Sequence, residues 1–170
     1  MQNTKIRYLS IAAIFAALIT IMTAYIFHIP TPIAGGYIHL GDSLIFLVAT
    51  LLPAPYAMAA AAIGGGLADL LTAPMWTLPT FIIKALITIP FSRKGNKILS
   101  TRNKIAPIFA YFISGTGYFL ATRMIFHSDV ALLTSYGASL IQSFGSAVVF
   151  FIFATLLDKI GFKRLMNIQN

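Results

Sequence analysis

Six long apolar segments, separated by short polar or basic ones, constrain the fold of this chain more than any other feature. Only 9% of the 170 residues are charged and 58% are hydrophobic, whereas a soluble domain carries roughly 25% charged residues. A chain of this composition cannot cover a water-facing surface, so the sequence predicts an all-α integral protein of the cell membrane. The segments are Tyr8–Phe27, Leu40–Leu52, Tyr56–Leu71, Leu78–Phe91, Ile105–Phe126 and Leu133–Leu157.

Basic residues determine the predicted topology, because the loops that carry them usually face the cytoplasm. They form three clusters, and the chain must cross the membrane an even number of times between one cluster and the next. Four crossings followed by two meet this condition, which predicts one six-transmembrane-helix bundle over residues 1–170 with both termini cytoplasmic. The second and fourth segments hold only about 13 residues, fewer than a normal span, so we expect them to be tilted or re-entrant. The clusters are Lys5 and Arg7; Arg93, Lys94, Lys97, Arg102 and Lys104; and Lys159, Lys163 and Arg164.

Several functional classes find no support in the sequence. The chain has no cysteine, and it has no nucleotide-binding P-loop, no zinc-binding His-Glu-x-x-His motif and no nucleophile elbow. We therefore predict no catalytic residue, no metal site and no cofactor. The net charge of +8 lies beside apolar segments, where it suits anionic membrane lipid rather than nucleic acid.

Polar side chains within the apolar segments collect at the predicted outer end of the bundle. Asp42 opens the second helix, Lys84 lies about 9 Å from the outer end of the fourth, and Gln142 lies roughly 12 Å into the sixth. Together they predict an outward-facing pocket for a small polar molecule with aromatic faces. The candidate binding residues are His39, Asp42, Asp69, Trp76, Lys84 and Gln142.

Each of these residues also has a purely structural interpretation. Asp69 and Lys84 can neutralise one another, since buried charges are usually paired. Asp42 can cap the second helix, Trp76 can belong to an interfacial aromatic belt, and Gln142 can make one interhelical hydrogen bond. Three further residues at the outer edge are expected to be interfacial and solvated: Arg123, His127 and Asp129.

The first helix carries closely spaced alanines. Ala12, Ala13, Ala16 and Ala17 form two overlapping pairs with four-residue spacing, which gives one face of the helix a smooth surface for another helix. Packing within the bundle and docking to a separate membrane subunit are both consistent with this spacing.

These features resemble the substrate-binding (S) subunits of energy-coupling factor (ECF) vitamin transporters. The similarity covers nearly the whole chain, including the AxxxA spacing of the first helix, the long first outer loop, the HLGD entry to the second helix and the Gly-rich third helix. It implies that a vitamin binds beneath the first outer loop. It also implies that the four alanines dock onto a transmembrane coupling (T) subunit that is driven by two ATPases.

The resemblance is closest to the branch that handles pyridoxine or hydroxymethylpyrimidine. A carboxylate can accept an N–H from a protonated pyridine or an aminopyrimidine, so we expect the ligand, rather than a protein cation, to complete Asp42. The hydroxymethyl groups of such ligands suit His39, Gln142 and Lys84. The alternatives are an autonomous proton-coupled carrier, a membrane-embedded enzyme and a purely structural subunit.

Overall fold

A computed structural model describes residues 2–26, 28–30, 37–127 and 131–166. Six helices of ten or more residues follow one another along these residues, with short elements between them. The helices are α1 (Gln2–Ala24), α2 (Asp42–Leu51), α3 (Ala54–Thr72), α4 (Thr77–Leu86), α5 (Thr101–Phe126) and α6 (Ala131–Lys159). The short elements are strands β1 (Ile29–Pro30) and β2 (Tyr37–Ile38), a 3-10 helix (Pro74–Trp76) and the C-terminal helix α7 (Phe162–Leu165).

Four of the helices are long and apolar enough to cross a membrane: α1, α3, α5 and α6. Helices α2 and α4 have ten residues each, or about 15 Å, which is half the thickness of the hydrocarbon core. Nine of the ten α2 residues are buried, so the longer helices shield α2 from lipid. The all-α membrane class is confirmed, whereas the six crossings and the cytoplasmic termini stay predictions.

The segment between α1 and α2, predicted to be a long outer loop, contains a small hairpin. Strands β1 and β2 are antiparallel, with Ile29 opposite Ile38 and Pro30 opposite Tyr37. The hairpin fixes the backbone that enters α2 and places Tyr37 and His39 beside the ends of the helices.

Helices α1 and α3 pack closely because Gly64 has no side chain. A Cβ atom on Gly64 would lie 2.8 Å from the carbonyl oxygen of Ala16 and 2.7 Å from Cβ of Ile19. These distances are shorter than van der Waals contact, so any larger residue would force the helices apart. Within the glycine triplet Gly64–Gly66 of the Gly-rich third helix, Gly64 is thus a helix-packing residue.

The bundle has two chemically different ends. The polar end contains the hairpin, the first residues of α2, α4 and α6 and the last residues of α1, α3 and α5. The basic end contains the first residues of α1, the turn between α2 and α3, the segment 87–100 and α7. Between them lies an apolar core in which Phe46 stacks on Phe91 with ring centroids 4.9 Å apart and meets Phe150 edge-on at 5.9 Å.

At the basic end, a half-buried carboxylate and a buried ammonium hold a segment without regular structure. The Asp158 carboxylate accepts hydrogen bonds from the backbone N–H groups of Ile98 and Leu99 at 2.7 and 3.0 Å. The Lys163 ammonium, 1% exposed, donates to the carbonyl oxygens of three residues. These are Arg93 at 3.0 Å, Gly95 at 3.5 Å and Lys97 at 3.2 Å. The basic loop is therefore bound to the C-terminal end of the chain.

Candidate functional site

An ion pair between Asp42 and Lys84 lies at the centre of the polar end. Lys84 Nζ is 2.6 Å from Asp42 Oδ1, and Gln142 Nε2 donates to Asp42 Oδ2 at 2.8 Å. Both charged side chains are almost completely buried. The contacts join α2, α4 and α6 through one carboxylate, and each of its oxygens has a partner.

A glycine on α3 makes room for this ion pair. A Cβ atom on Gly65 would lie 2.7 Å from Cγ of Lys84, so a side chain there would displace the lysine stem. Gly64 brings α3 close to α1, and Gly65 lets Lys84 cross the surface of α3. Two members of the triplet thus have separate roles.

Three sequence-based interpretations are wrong in this structure. The expected pairing of Asp69 with Lys84 is replaced by the pairing of Asp42 with Lys84. The Asp42 carboxylate therefore pairs with a protein cation, contrary to the expectation that it would pair with a ligand. Asp42 also does not cap α2: it is the first residue of the helix, and the N-cap residue Gly41 makes no side-chain cap.

Asp69 forms a second cluster with residues that sequence reasoning did not single out. Its Oδ1 accepts a hydrogen bond from the Tyr37 hydroxyl, and it also bonds to the Thr80 side chain. Thr80 Oγ1 lies 2.9 Å from the Tyr118 hydroxyl. Either hydroxyl of the Thr80–Tyr118 pair can be the donor. A chain of hydroxyl groups thus runs from α5 to α3.

Aromatic rings connect the hairpin with the helices. The Tyr37 ring stacks on His28 with centroids 3.9 Å apart and an interplanar angle of 27°. Trp76, which is buried, meets Tyr118 edge-on at 5.9 Å. Lys84 Nζ lies 5.7 Å from the centroid of the Tyr118 ring, within the range of a cation–π interaction. The two carboxylate clusters are therefore linked through Tyr118.

His39 is neutral at this site. Its Nδ1 accepts a hydrogen bond from the backbone N–H of Gly41 at 3.0 Å, which leaves the ring proton on Nε2. Burial, reinforced by the positive charge of Lys84, lowers the pKa of His39 to about 3. His39 is thus a polar, uncharged side chain beside Tyr37, with ring centroids 5.5 Å apart.

The structure gathers the six predicted binding residues at one end of the bundle, in the two clusters and beside them. Sequence reasoning missed Tyr37, Thr80 and Tyr118. Tyr37 lies two residues before His39, a signal that was available, whereas nothing in the sequence of α5 distinguishes Tyr118 from a lipid-facing aromatic. Arg123 and His127 are exposed, and Asp129 lies outside the described residues.

The four alanines of α1 divide between two faces. Ala12 and Ala16 are buried, 8% and 7% exposed, and Ala16 packs against Gly64 of α3. Ala13 and Ala17 are exposed. Packing within the bundle therefore accounts for Ala12 and Ala16 but not for Ala13 and Ala17.

Comparison with known proteins identifies the family. A family model described as the ECF-type riboflavin transporter, S component, matches residues 3–159. The chain belongs to this family. It is therefore a multi-pass membrane protein of a transport system, in agreement with the resemblance seen in the sequence.

A second comparison finds a relative of undescribed activity. Over 63 residues the chain is 38% identical to a Pyrococcus woesei protein described as an uncharacterized protein in the gap 3' region. The match spans 37% of this S component and 43% of that protein. This match supports an evolutionary relationship between the two proteins but does not indicate a ligand.

Proposed function

We propose that this S component captures a small heteroaromatic vitamin or vitamin precursor at its polar end, for uptake by an ATP-driven ECF transporter. The observation that supports this most is the concentration of buried carboxylate, ammonium, amide, imidazole and aromatic groups beneath the hairpin. Such a mixture of apolar walls and a few convergent polar groups is typical of small-molecule sites. The apolar core below it separates the site from the basic end.

In this proposal Asp69, rather than Asp42, receives the polar edge of the ligand. Lys84 and Gln142 already satisfy both oxygens of Asp42. Asp69 is bonded instead by the Tyr37 hydroxyl of the hairpin. A ligand N–H can take the place of that hydroxyl, while the ring packs among the aromatic side chains of the hairpin and the 3-10 helix.

Two ligand types satisfy this chemistry. Riboflavin is the substrate named in the description of the family, and its ring system carries an imide N–H. Pyridoxine and hydroxymethylpyrimidine, expected from the sequence resemblance, offer a pyridinium or amino N–H. We propose riboflavin first because the family match covers most of the chain, and the pyridine or pyrimidine ligands second.

Calorimetry with the purified chain tests the site. Asp69→Asn keeps the shape but removes the charge, so binding of the true ligand should weaken by about 1.5–3 kcal/mol, or roughly 10- to 150-fold. The matched control is Asp158→Asn at the basic end, which should leave affinity unchanged. Equal losses in the two variants would contradict a site at Asp69, and binding of none of the three ligands would contradict the proposed ligand class.

The proposed orientation places the polar end outside the cell and the basic end in the cytoplasm, with six crossings. It is supported by the separation of the basic loop from the polar network. Because the chain has no cysteine, a single cysteine at position 97 can be labelled without background. It should react only from the cytoplasmic side, and labelling from outside would contradict the six-crossing topology.

We propose that the exposed alanines of α1 contact the coupling subunit, which in turn associates with two ATPases. Ala17→Leu should then block assembly and uptake while sparing ligand binding. The control is Ala59→Leu, at an exposed position of α3. If Ala17→Leu impaired both activities equally, the residue would serve the internal packing of the subunit instead.

An autonomous proton-coupled carrier is the main rival. Such a carrier needs titratable groups that reach both faces, whereas the described core between the two ends consists largely of apolar residues such as Ile45, Phe46, Ile87 and Phe150. Uptake by vesicles that contain this chain alone, driven by a pH gradient, would favour the carrier. A membrane enzyme would instead turn over a substrate without any partner subunit.

A further inference from the structure

A cavity of about 450 Å³ lies at the basic end, far along the bundle from the polar network. It opens between the turn that joins α2 to α3 and the segment that follows α4. Its volume falls within the range of small-molecule sites, roughly 300–1,000 Å³. The proposed vitamin site does not involve any of its residues.

The walls of the cavity are apolar and its rim is cationic. Leu52 and Phe91 are buried in the walls, while Ala54 and Ile89 line the more exposed part. Arg93 and Lys94 also line the cavity. None of the lining residues is acidic, so the charged side chains that line the cavity are both cationic.

The rim is held in place by contacts outside the cavity. Asn103, which is fully buried, bonds both the backbone N–H and the carbonyl oxygen of Ser92, at 2.8 and 2.7 Å. Lys163 binds the carbonyl oxygen of Arg93, and the Arg93 guanidinium lies 5.9 Å from the Tyr8 ring. The cavity is thus preformed, which reduces the entropy lost when a ligand binds.

We propose that this cavity binds an anionic phospholipid of the leaflet at the basic end. The phosphate lies between Arg93 and Lys94, and an acyl chain packs against Leu52, Ala54 and Ile89. The cationic rim complements the phosphate, and a guanidinium with five donors can bind phosphate while it remains beside Tyr8. This inference is independent of the proposed vitamin and of its site.

Native mass spectrometry of the purified chain in neutral detergent tests the proposal. The probes are phosphatidylglycerol, phosphatidylcholine and inorganic phosphate, each titrated separately. We expect saturable binding of phosphatidylglycerol in preference to the other two. Lys94→Gln should weaken it about fivefold, and Ala54→Phe, which fills the cavity without changing its charge, should weaken it at least as much.

Two matched variants distinguish a site from general attraction. Lys97→Gln removes the same charge three residues away, outside the cavity, and Ala59→Phe adds the same ring elsewhere on α3; both should bind like the wild type. Equal losses for Lys94→Gln and Lys97→Gln would overturn the proposal in favour of diffuse attraction to the loop. The lysine pair decides this even if Ala54→Phe fails to fold.

Two other outcomes would also overturn the proposal. If inorganic phosphate bound as tightly as phosphatidylglycerol and Ala54→Phe changed neither, the rim would be an anion site without a lipid. If no lipid bound and Ala54→Phe instead weakened association with the coupling subunit, the cavity would receive a protein partner.

Discussion

The two ends of this S component both bury charged side chains, but they satisfy them in different ways. At the polar end a carboxylate and an ammonium on different helices, Asp42 and Lys84, bind each other. At the basic end the charges bind the backbone, since Lys163 donates to three carbonyl oxygens and Asp158 accepts from two amides. The first arrangement joins regular helices, and the second gives a fixed shape to a segment that has no regular structure.

This difference matters for function because side-chain partners can be exchanged and backbone partners cannot. A ligand that offers an N–H can replace Tyr37 on Asp69 without unfolding any element. The segment at the basic end, in contrast, takes its shape from the backbone bonds that Asp158 and Lys163 make. We therefore expect the polar end to respond to ligand and the basic end to keep its shape.

The largest effect should come from breaking the ion pair at the polar end. Lys84→Met leaves Asp42 buried and without its cationic partner, so the free energy of unfolding should fall by about 3–5 kcal/mol. Chemical unfolding in mixed micelles would measure the change. The double variant Asp42→Asn with Lys84→Met should recover part of the loss, because the remaining groups are neutral.

The control for this prediction lies at the other end. Lys97→Met removes an exposed lysine of the basic loop and should change stability by less than about 0.5 kcal/mol. If Lys84→Met were equally mild, water would reach Asp42 and the ion pair would not be a buried one. The two ends of the bundle would then not differ in how much their lysines contribute to stability.

The sequence predicted which ionisable residues are energetically unfavourable within the apolar segments and at which end of the bundle they lie. It did not predict which of them pair with each other. Segment boundaries and a rise of 1.5 Å per residue place Asp42, Asp69 and Lys84 at similar heights in the bundle. The choice of partner depends on how the helices are rotated and on which helices adjoin. Gly65 allows Lys84 to cross α3 toward Asp42, a consequence of three-dimensional packing that no spacing in the sequence reveals.

The contacts at the basic end could not be predicted from the sequence for a different reason. The lysines and arginines of this end form separate clusters in the sequence, and the structure joins two of them where Lys163 donates to the carbonyl oxygens of Arg93, Gly95 and Lys97. Asp158 and Asn103 are single polar residues near helix ends, and nothing in the sequence distinguishes them from ordinary surface positions. Their role follows from the backbone groups of residues 92–99, which need partners once the segment is folded against α6.

An intermediate effect should appear at the basic end when Lys163 is titrated. Burial lowers the pKa of Lys163 from 10.5 to about 8, while Asp158 opposes this shift and Arg93 adds to it. Between these two pKa values the unfolded chain holds the proton and the folded chain has lost it, so stability rises with pH in this window. Relative to Lys163→Met, the wild type should gain roughly 1–3 kcal/mol across it.

Unfolding curves of the two proteins, taken from neutral pH to above the ordinary lysine pKa, would measure this difference. Other titrating groups are common to both proteins and cancel in the subtraction. A flat difference would mean that the three carbonyl acceptors fully offset burial and that the ammonium stays charged. The loop at the basic end would then be held by an ammonium that keeps its charge over the whole range.

The smallest effect on stability, and the sharpest test of partner exchange, is expected for Tyr37→Phe. Burial and the nearby Asp69 raise the pKa of Tyr37 well above its ordinary value, so its hydroxyl remains a donor at physiological pH. Removing it should cost about 0.5–1.5 kcal/mol of stability, because Thr80 still bonds to Asp69. If the ligand replaces Tyr37 on Asp69, however, the variant no longer has to break that bond on binding. Its affinity for the ligand should then rise by roughly 2- to 10-fold in calorimetry, whereas a fall in affinity would show that the Tyr37 hydroxyl binds the ligand directly.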